Sequence, residues 1–169
     1  MTDKEYFELG FASGSVGELY EDTYAFNDIS GAIRETSDES FVSQIDFIEE
    51  EFNELKHGVL NNDNVETLDG LVDCAVTLMG YMQKFHFTTG ADIGTAMQLV
   101  ATNNLEKYPK TKQLAEDTVK MYADKGVDTY YTYNDTYQVY VIRDKITGKV
   151  KKPMGFKSVD LSSCFPKLN

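Results

Sequence analysis

The chain has 169 residues, with 28 acidic and 16 basic side chains, so its formal net charge at pH 7 is −12. This length is typical of one domain, and a hydrophobic content of 41% excludes wholesale disorder. The acidic composition disfavours binding to nucleic-acid polymers, which requires a basic surface. The sequence has no apolar run of the ~20 residues that cross a membrane, and it does not begin with the basic and apolar blocks of a signal peptide.

The two cysteines, Cys74 and Cys164, lie in unrelated contexts, so neither a disulfide framework nor a thiolate zinc site is expected. A soluble protein of a reducing cytoplasm is therefore predicted, and no membrane is expected among its partners. The charge is unevenly distributed, because residues 1–70 carry a net charge of −15 and residues 101–169 a net charge of +4. Solvated helix faces explain such a pattern, and so does a metal site followed by phosphate-binding lysines.

The first part of the chain is predicted to be helical. Residues 1–17, with three glycines, are predicted to form a loose or weakly helical arm, and residues 17–33 a short amphipathic helix with a connecting turn. A longer helix is then predicted to end around Gly58 and the NNDN sequence at 61–64. Its apolar stripe recurs at spacings of four and three and consists of Phe41, Ile45, Ile48, Phe52 and Leu55.

A second long helix is predicted from about Val65 to Phe85. It is apolar on most sides, so we expect it to be buried between neighbours, and its segment Leu68–Met82 predicts contact with a second chain. Two further helices are predicted at 90–106 and 110–125, before Gly126.

The last part of the chain is predicted to form strands. Tyrosines and β-branched residues on both sides of Asn134-Asp135 predict a β-hairpin, and Thr147-Gly148 predicts a second turn. The fold class is therefore mainly α with a small C-terminal β-hairpin. We expect a helical core over residues 1–126, and a hairpin with an irregular basic tail over residues 127–169, packed on the core or on a partner chain.

Acidic residues repeat at helical spacing on both long helices. In FIEEEFNEL, Glu54 follows Glu51 by three residues and Glu50 by four, so the three carboxylates share one face. Like charges at this spacing repel one another unless a cation or a basic group lies between them. In ETLDGLVD, a second acidic stripe is formed by Glu66, Asp69 and Asp73.

Asp73 lies within the most apolar helix, where a carboxylate is unfavourable to bury unless it is paired or bound to a metal. Two antiparallel helices that present Glu-x-x-Glu and Asp-x-x-x-Asp to each other form an all-oxygen cage suited to Mg²⁺ or Mn²⁺. The alternative is a pair of solvated helix faces. The succession of two such motifs favours the metal site.

A third element is TNNLEKYPK, in which Asn104 and Lys107 are three residues apart at a predicted helix end, before Tyr108 and Pro109. An amide and an ammonium group held there suit phosphate oxygens or a ribose hydroxyl. An ordinary helix end is the alternative for this short pattern.

The order of these motifs resembles the all-α nucleotide pyrophosphohydrolases, which include MazG-like enzymes, dimeric dUTPases, dCTP pyrophosphatases and phosphoribosyl-ATP pyrophosphohydrolase. It is most similar to the phage-encoded MazG-like branch, with DTYAFN at 22–27, LDGLVD at 68–73, NLEK at 104–107 and GKVKKP at 148–153. The resemblance spans about residues 20–160. It implies a four-helix-bundle-type catalytic core, a homodimer or homotetramer, and hydrolysis of a nucleoside triphosphate to the monophosphate and pyrophosphate.

Carried over residue by residue, the resemblance implies a metal site that binds Mg²⁺, or Mn²⁺, through Glu50, Glu51, Glu54 and Asp73. Glu50 or Glu51 is then expected to accept a proton from the attacking water. The superfamily usually has a glutamate three residues before the last aspartate, and here that position is Gly70. Asp69 or Glu66 is expected to take its place.

Substrate contacts are expected on both sides of this site. Lysines of the basic tail, among them Lys152, are expected to bind phosphate oxygens, and two residues of the DTYAFN motif to contact a base. Core packing and a solvated strand end are the alternatives for these groups. The predicted substrate-binding residues are Asn104, Lys107, Tyr108, Phe26, Asn27, Lys149 and Lys151.

Two other functions stay open. One is hydrolysis of a related nucleotide, such as phosphoribosyl-ATP or an alarmone. The other is a non-catalytic phage protein that keeps the fold and binds a nucleotide or a host protein. Gly70 favours this last interpretation, and the retained carboxylates oppose it.

Overall fold

The computed structural model describes residues 16–167. Apart from short 3₁₀ turns, the regular structure of this part of the chain consists of helices and a two-stranded antiparallel sheet. The prediction of a mainly helical protein with a small β-hairpin is therefore confirmed. Most of the predicted arm at 1–17 lies outside the described residues. Residues 16–91, with 166–167, form one compact unit, and residues 92–165 form another.

The first unit contains three helices, α1 (Val16–Ile29), α2 (Asp38–Asn61) and α3 (Asn64–Thr89). Asn62 ends α2 in the left-handed conformation, with φ 56°, and the Asp63 carboxylate then caps α3. Since only these two residues separate α2 from α3, the helices form an antiparallel hairpin. The first of them ends at Asn61, within the NNDN sequence predicted to end it, and its Gly58 is buried against α3.

Polar contacts hold α1 on the hairpin. The Gln83 amide of α3 donates a hydrogen bond to the Tyr20 carbonyl oxygen at 2.8 Å. Beside it, Asn27 lies against Gly80, where an added Cβ would come 2.8 Å from the Asn27 amide nitrogen. Gln83 is buried, so the bond satisfies a polar group that has lost its contact with water.

Within the first unit α3 is only partly covered, and its predicted contact with a second chain stays a prediction. Its leucines are exposed, since the helices of this unit cover only part of its surface. The sides that α1 and α2 cover carry glycines and polar residues instead. The buried positions of α3 are Gly70, Gly80, Gln83 and Lys84.

The second unit contains α4 (Ile93–Leu105), α5 (Lys112–Ala123) and the strands β1 (Thr129–Asn134) and β2 (Val139–Asp144). The strands pair in register from Thr129 with Asp144 to Asn134 with Val139. The hairpin packs on α5, and the chain then returns along β2 through a bridge between Arg143 and Val150. The core of this unit includes the fully buried residues Ala115, Thr118 and Ile142.

Candidate functional site

The α2–α3 hairpin has a defined register, which decides which carboxylates meet. Gln44 donates to the Thr77 carbonyl oxygen at 3.4 Å, and His57 Nδ1 lies 2.6 Å from Glu66 Oε1. Each contact joins residues whose numbers add to about the same value, as expected of an antiparallel pair. The same register places Glu51 opposite Asp73.

The predicted metal ligands are electrostatically coupled. Partial burial raises the pKa of the Glu51 carboxyl, and nearby negative charges raise that pKa further. These charges come from both helices of the hairpin, so the two acidic stripes do face the same region. In order of decreasing effect they belong to Asp73, Glu54, Glu50 and Asp69.

No cationic side chain of residues 16–91 compensates this cluster. The ion pairs of the first unit in that range join other residues: Arg34 with Asp28, and His57 with Glu66. The buried Lys84 donates to Ser40 at the other end of the hairpin and lies over the Phe41 ring. Within this unit the carboxylates therefore repel one another without a counter-ion, an arrangement that a bound cation would relieve.

The donor chemistry of the cluster fits a hard divalent cation, because all of the candidate ligands are carboxylate oxygens. Within the described part of the chain, however, no group of three or more acidic, histidine or cysteine side chains is arranged to hold a metal ion. Binding would therefore require these side chains to turn toward a common centre. Glu50, Glu54 and Asp69 are exposed and free of hydrogen bonds within residues 16–167, whereas Glu51 and Asp73 are half-buried.

An open groove of ≈ 810 Å³ lies along the acidic side of the hairpin. It includes His57, which was not predicted as a site residue. The sequence signal that could have indicated it is the position of His57 and Glu66 on opposite sides of the 61–63 turn. One ring nitrogen of His57 contacts Glu66, so the second is available to a ligand in the groove. The residues that line the groove are Asp46, Glu49, Glu50, Asn53, Glu54, His57, Glu66 and Asp69.

Gly70 is buried where α2 and α3 pack closely together. A Cβ at this position would lie 2.6 Å from the Leu55 backbone nitrogen and 2.8 Å from its Cα. No side chain fits there without moving the helices apart, so position 70 cannot contribute a ligand. Asp69, one residue earlier, lines the groove instead.

Phe26 and Asn27, the predicted base contacts, lie in the same unit as the carboxylates. Phe26 is exposed, whereas Asn27 is half-buried against Gly80 and donates a long hydrogen bond of 3.5 Å to Gln83. Gly80 follows Asp73 by seven residues, which is about 10 Å along the helix axis. The contacts of Asn27 therefore position α1, and Phe26 has an apolar surface free for a ligand.

The predicted phosphate-binding residues belong to the second unit. Lys107 donates to the Asn104 side-chain oxygen at 2.6 Å at the end of α4, followed by the half-buried Tyr108. Lys151 forms an ion pair of 2.9 Å with Asp144 and lies over the Tyr122 ring.

The ammonium group of Lys149, by contrast, forms no hydrogen bond, ion pair or cation–π contact within residues 92–165, and its side chain is exposed. Lys152 is also exposed and lies over the Phe156 ring. Among the predicted tail lysines, Lys149 is thus the one with neither an ionic nor an aromatic partner in this unit.

Within residues 16–167, every helix is too short or too polar to cross a membrane. No family model, curated protein or solved structure matches the chain.

Proposed function

We propose that the chain is a Mg²⁺-dependent nucleoside triphosphate pyrophosphohydrolase that cleaves an NTP or dNTP to the monophosphate and pyrophosphate. The observation that carries the proposal is the uncompensated carboxylate cluster around Glu51, to which both long helices contribute. The helical hairpin that presents it supports a MazG-like four-helix-type core. The superfamily resemblance of the sequence selects this reaction among those that use such a cluster.

The carboxylates of the hairpin would hold the metal, with Asp69 in place of a ligand at position 70. When bound, Mg²⁺ would neutralise charge on the phosphates and make a bound water more acidic. Glu50 or Glu51 would accept the proton of the attacking water, and the raised pKa of Glu51 makes its carboxylate a stronger base than an ordinary glutamate side chain. The ligand set of the proposal is Glu50, Glu51, Glu54, Asp69 and Asp73.

The remaining contacts would orient the substrate. Lys149 offers a free ammonium group to the phosphates, and Lys107 would have to release Asn104 in order to do the same. Phe26 offers an exposed ring on which a base would stack. Phosphoribosyl-ATP and alarmones share the triphosphate or pyrophosphate groups, so they are the alternative substrates of the same site.

A non-catalytic role is the second candidate, and a specific observation favours it. No group of three ligand side chains among residues 16–167 is arranged to hold a metal. Such a group is not needed by a phage protein that binds a nucleotide or a host protein without hydrolysing it. We place the protein in the cytoplasm, which for a phage protein is that of the host, and expect a homodimer or homotetramer.

The proposal is tested by incubating the purified chain with a panel of NTPs and dNTPs and measuring released pyrophosphate, with Mg²⁺ or Mn²⁺ and with EDTA. We expect pyrophosphate and the monophosphate in equal amounts, only with metal. Release of orthophosphate alone would contradict the reaction. Nucleotide binding by calorimetry without turnover on any substrate would establish the non-catalytic alternative.

A further inference from the structure

His57 and Glu66 face each other across the short turn that joins α2 to α3, with His57 Nδ1 2.6 Å from Glu66 Oε1. Two further hydrogen bonds hold the backbone on either side of this pair. The Asp63 carboxylate accepts one from the Glu66 backbone N–H at 3.1 Å. The Asn61 amide donates the other to the His57 carbonyl oxygen at 2.9 Å. The turn therefore fixes the positions from which the two side chains meet.

The contact with Glu66 decides which nitrogen of the imidazole ring carries a hydrogen. An ionised carboxylate can only accept a hydrogen bond, so the hydrogen between the two groups belongs to His57 Nδ1. In the neutral ring the other nitrogen, Nε2, then has a lone pair and acts as an acceptor. The pair thus prepares Nε2 for one kind of partner, which is a hydrogen-bond donor.

The groove that His57 lines favours the same kind of partner. Besides His57, its lining consists of six carboxylate side chains and the Asn53 amide, which lies one helical turn before His57. Carboxylates accept hydrogen bonds and repel anions, so they favour cations and groups that donate hydrogen bonds. A bare phosphate is unfavourable there. The part of a ligand that contacts this stretch of the groove is therefore expected to be a neutral donor.

A nucleoside triphosphate has such donors at two places only. Its ionised phosphates carry acceptor oxygens, whereas the sugar hydroxyls and the N–H groups of the base donate hydrogen bonds. The hydroxyls are nearer to the phosphates than the base is. Glu54, a proposed metal ligand, precedes His57 by one helical turn, which is about 4.5 Å along the axis. This short separation favours the sugar as the group that reaches His57.

We propose that His57 Nε2 accepts a hydrogen bond from a hydroxyl group of the substrate's sugar, and that Glu66 positions the ring. The inference rests on the proposed function, because it assigns a contact of the same nucleotide. Nucleotide-binding proteins of other folds also recognise ribose with an acceptor side chain on a hydroxyl. Glu66 is engaged with His57, so Asp69 is left as the residue that replaces a metal ligand at position 70.

Nuclear magnetic resonance of the imidazole nitrogens tests the contact without depending on turnover. The chain has two histidines, so the spectrum of His57→Phe assigns both rings. His86 is the internal control, with its Nδ1 2.7 Å from the Ala91 carbonyl oxygen in the same unit. At mildly alkaline pH we expect His57 to carry its hydrogen on Nδ1, and its Nε2 signal to shift when α,β-methylene-ATP and Mg²⁺ are added. The His86 signals should stay in place.

The 2′,3′-dideoxy form of the same analogue is the matched ligand, because it lacks both hydroxyls. It should shift the His57 Nε2 signal much less. Equal responses to the two analogues, including no response to either, would overturn the proposal. A ring that carries its hydrogen on Nε2 in the free protein would also overturn it.

Kinetics on substrates that lack hydroxyls test the same contact through specificity. For each base, kcat/KM is measured with the NTP, the dNTP and the ddNTP. The wild type should lose roughly three- to tenfold at the step that removes the bound hydroxyl, which is typical of one hydrogen bond. His57→Phe should not discriminate at that step. An equal loss of activity on all three substrates in His57→Phe would indicate a role on the attacking water and contradict the proposal.

Substitutions of Glu66 separate positioning of the ring from support of the fold. Glu66→Gln keeps an oxygen that can accept from His57 Nδ1, so it should retain the discrimination between sugars. Glu66→Ala should lose most of it, with unchanged helical content by circular dichroism. Glu39→Ala, which removes an exposed glutamate in the first turn of α2, is the control that should retain it. Equal discrimination in Glu66→Ala and the wild type would refute the role of Glu66.

The experiments distinguish failure of this inference from failure of the proposed function. A His57 signal that responds to the sugar hydroxyls, without release of pyrophosphate from any nucleotide, would support the sugar contact and contradict only the hydrolysis. Hydrolysis without discrimination between the sugars would contradict only the contact of His57.

Discussion

Gly70 lies against the backbone of Leu55, so that an added Cβ would come 2.6 Å from the Leu55 nitrogen. This contact joins α2 and α3 immediately beside the carboxylate cluster. It also gives a physical reason for the departure of this chain from the superfamily that it resembles, because a glutamate at position 70 would push apart the helices that carry the other ligands. The close packing of the hairpin and a ligand at position 70 exclude each other.

Gly70→Ala should therefore destabilise the protein. The methyl group meets backbone atoms, which cannot rotate away, and overpacking of this kind typically costs ~1–3 kcal/mol. Urea unfolding followed by circular dichroism measures the change in the free energy of unfolding. Gly94→Ala is the control: its Cβ would have only the Asp92 carboxylate within reach, at 3.6 Å, and a helical alanine gains roughly 0.5–1 kcal/mol over glycine. Equal stability of the two variants would contradict the close contact.

Substitutions that remove a charge from the carboxylate cluster should have opposite effects on stability and on activity. Glu54→Gln or Asp73→Asn should raise the melting temperature without metal, because each removes a like charge from the region of Glu51. The same variants should lose Mg²⁺-dependent turnover and the increase in melting temperature that Mg²⁺ gives the wild type. Thermal unfolding with and without Mg²⁺ measures both effects. Glu21→Gln, an exposed charge on α1, is the control that should change neither.

The carboxyl group of Asp144 should make the stability of the second unit depend on pH. Its pKa lies below the usual value of 3.8, first because of the hydrogen bond from Lys151 and also because of backbone hydrogen bonds such as that of Thr147. A carboxyl whose pKa is lowered by folding contributes stability above its unfolded pKa, and this contribution is lost as the pH falls below 3.8. Asp144→Asn should therefore be less stable than the wild type at pH 6, and the difference should shrink toward pH 3. A difference that grows with acidity would refute the assignment.

The two tail lysines should respond differently to charge reversal. Lys149→Glu should raise KM for the nucleotide at unchanged stability, more strongly at low salt, because an exposed charge is screened as the ionic strength rises. Lys151→Glu breaks the ion pair with Asp144, so it should also lower the melting temperature. Steady-state kinetics with a thermal melt of each variant separates the effects. An unchanged KM in Lys149→Glu would assign this lysine to the solvated surface.

The clustering of the carboxylates on the α2–α3 hairpin was largely predictable from sequence. Helical spacing of Glu50, Glu51 and Glu54 placed three carboxylates on one face, and the register of the hairpin brought Asp73 opposite Glu51. The pairing of His57 with Glu66 was missed, because it depends on the residue at which the chain turns. The contacts of Asn27 and Lys151 were also missed, since their partners are 56 and seven residues away in the chain.

Sequence by itself determined the helices, the β-hairpin and the acidic stripes, because these follow from local periodicity and turn residues. It did not decide which side of α3 is covered within the unit, because the composition of this helix is apolar on most sides. Which side of such a helix is covered depends on where its neighbours touch it, and the small Gly70 and Gly80 allow α2 and α1 to approach on one side only. The leucines on the other side are covered by neither α1 nor α2, and this outcome was decided by the tertiary structure, because helices pack most closely where the facing side chains are small.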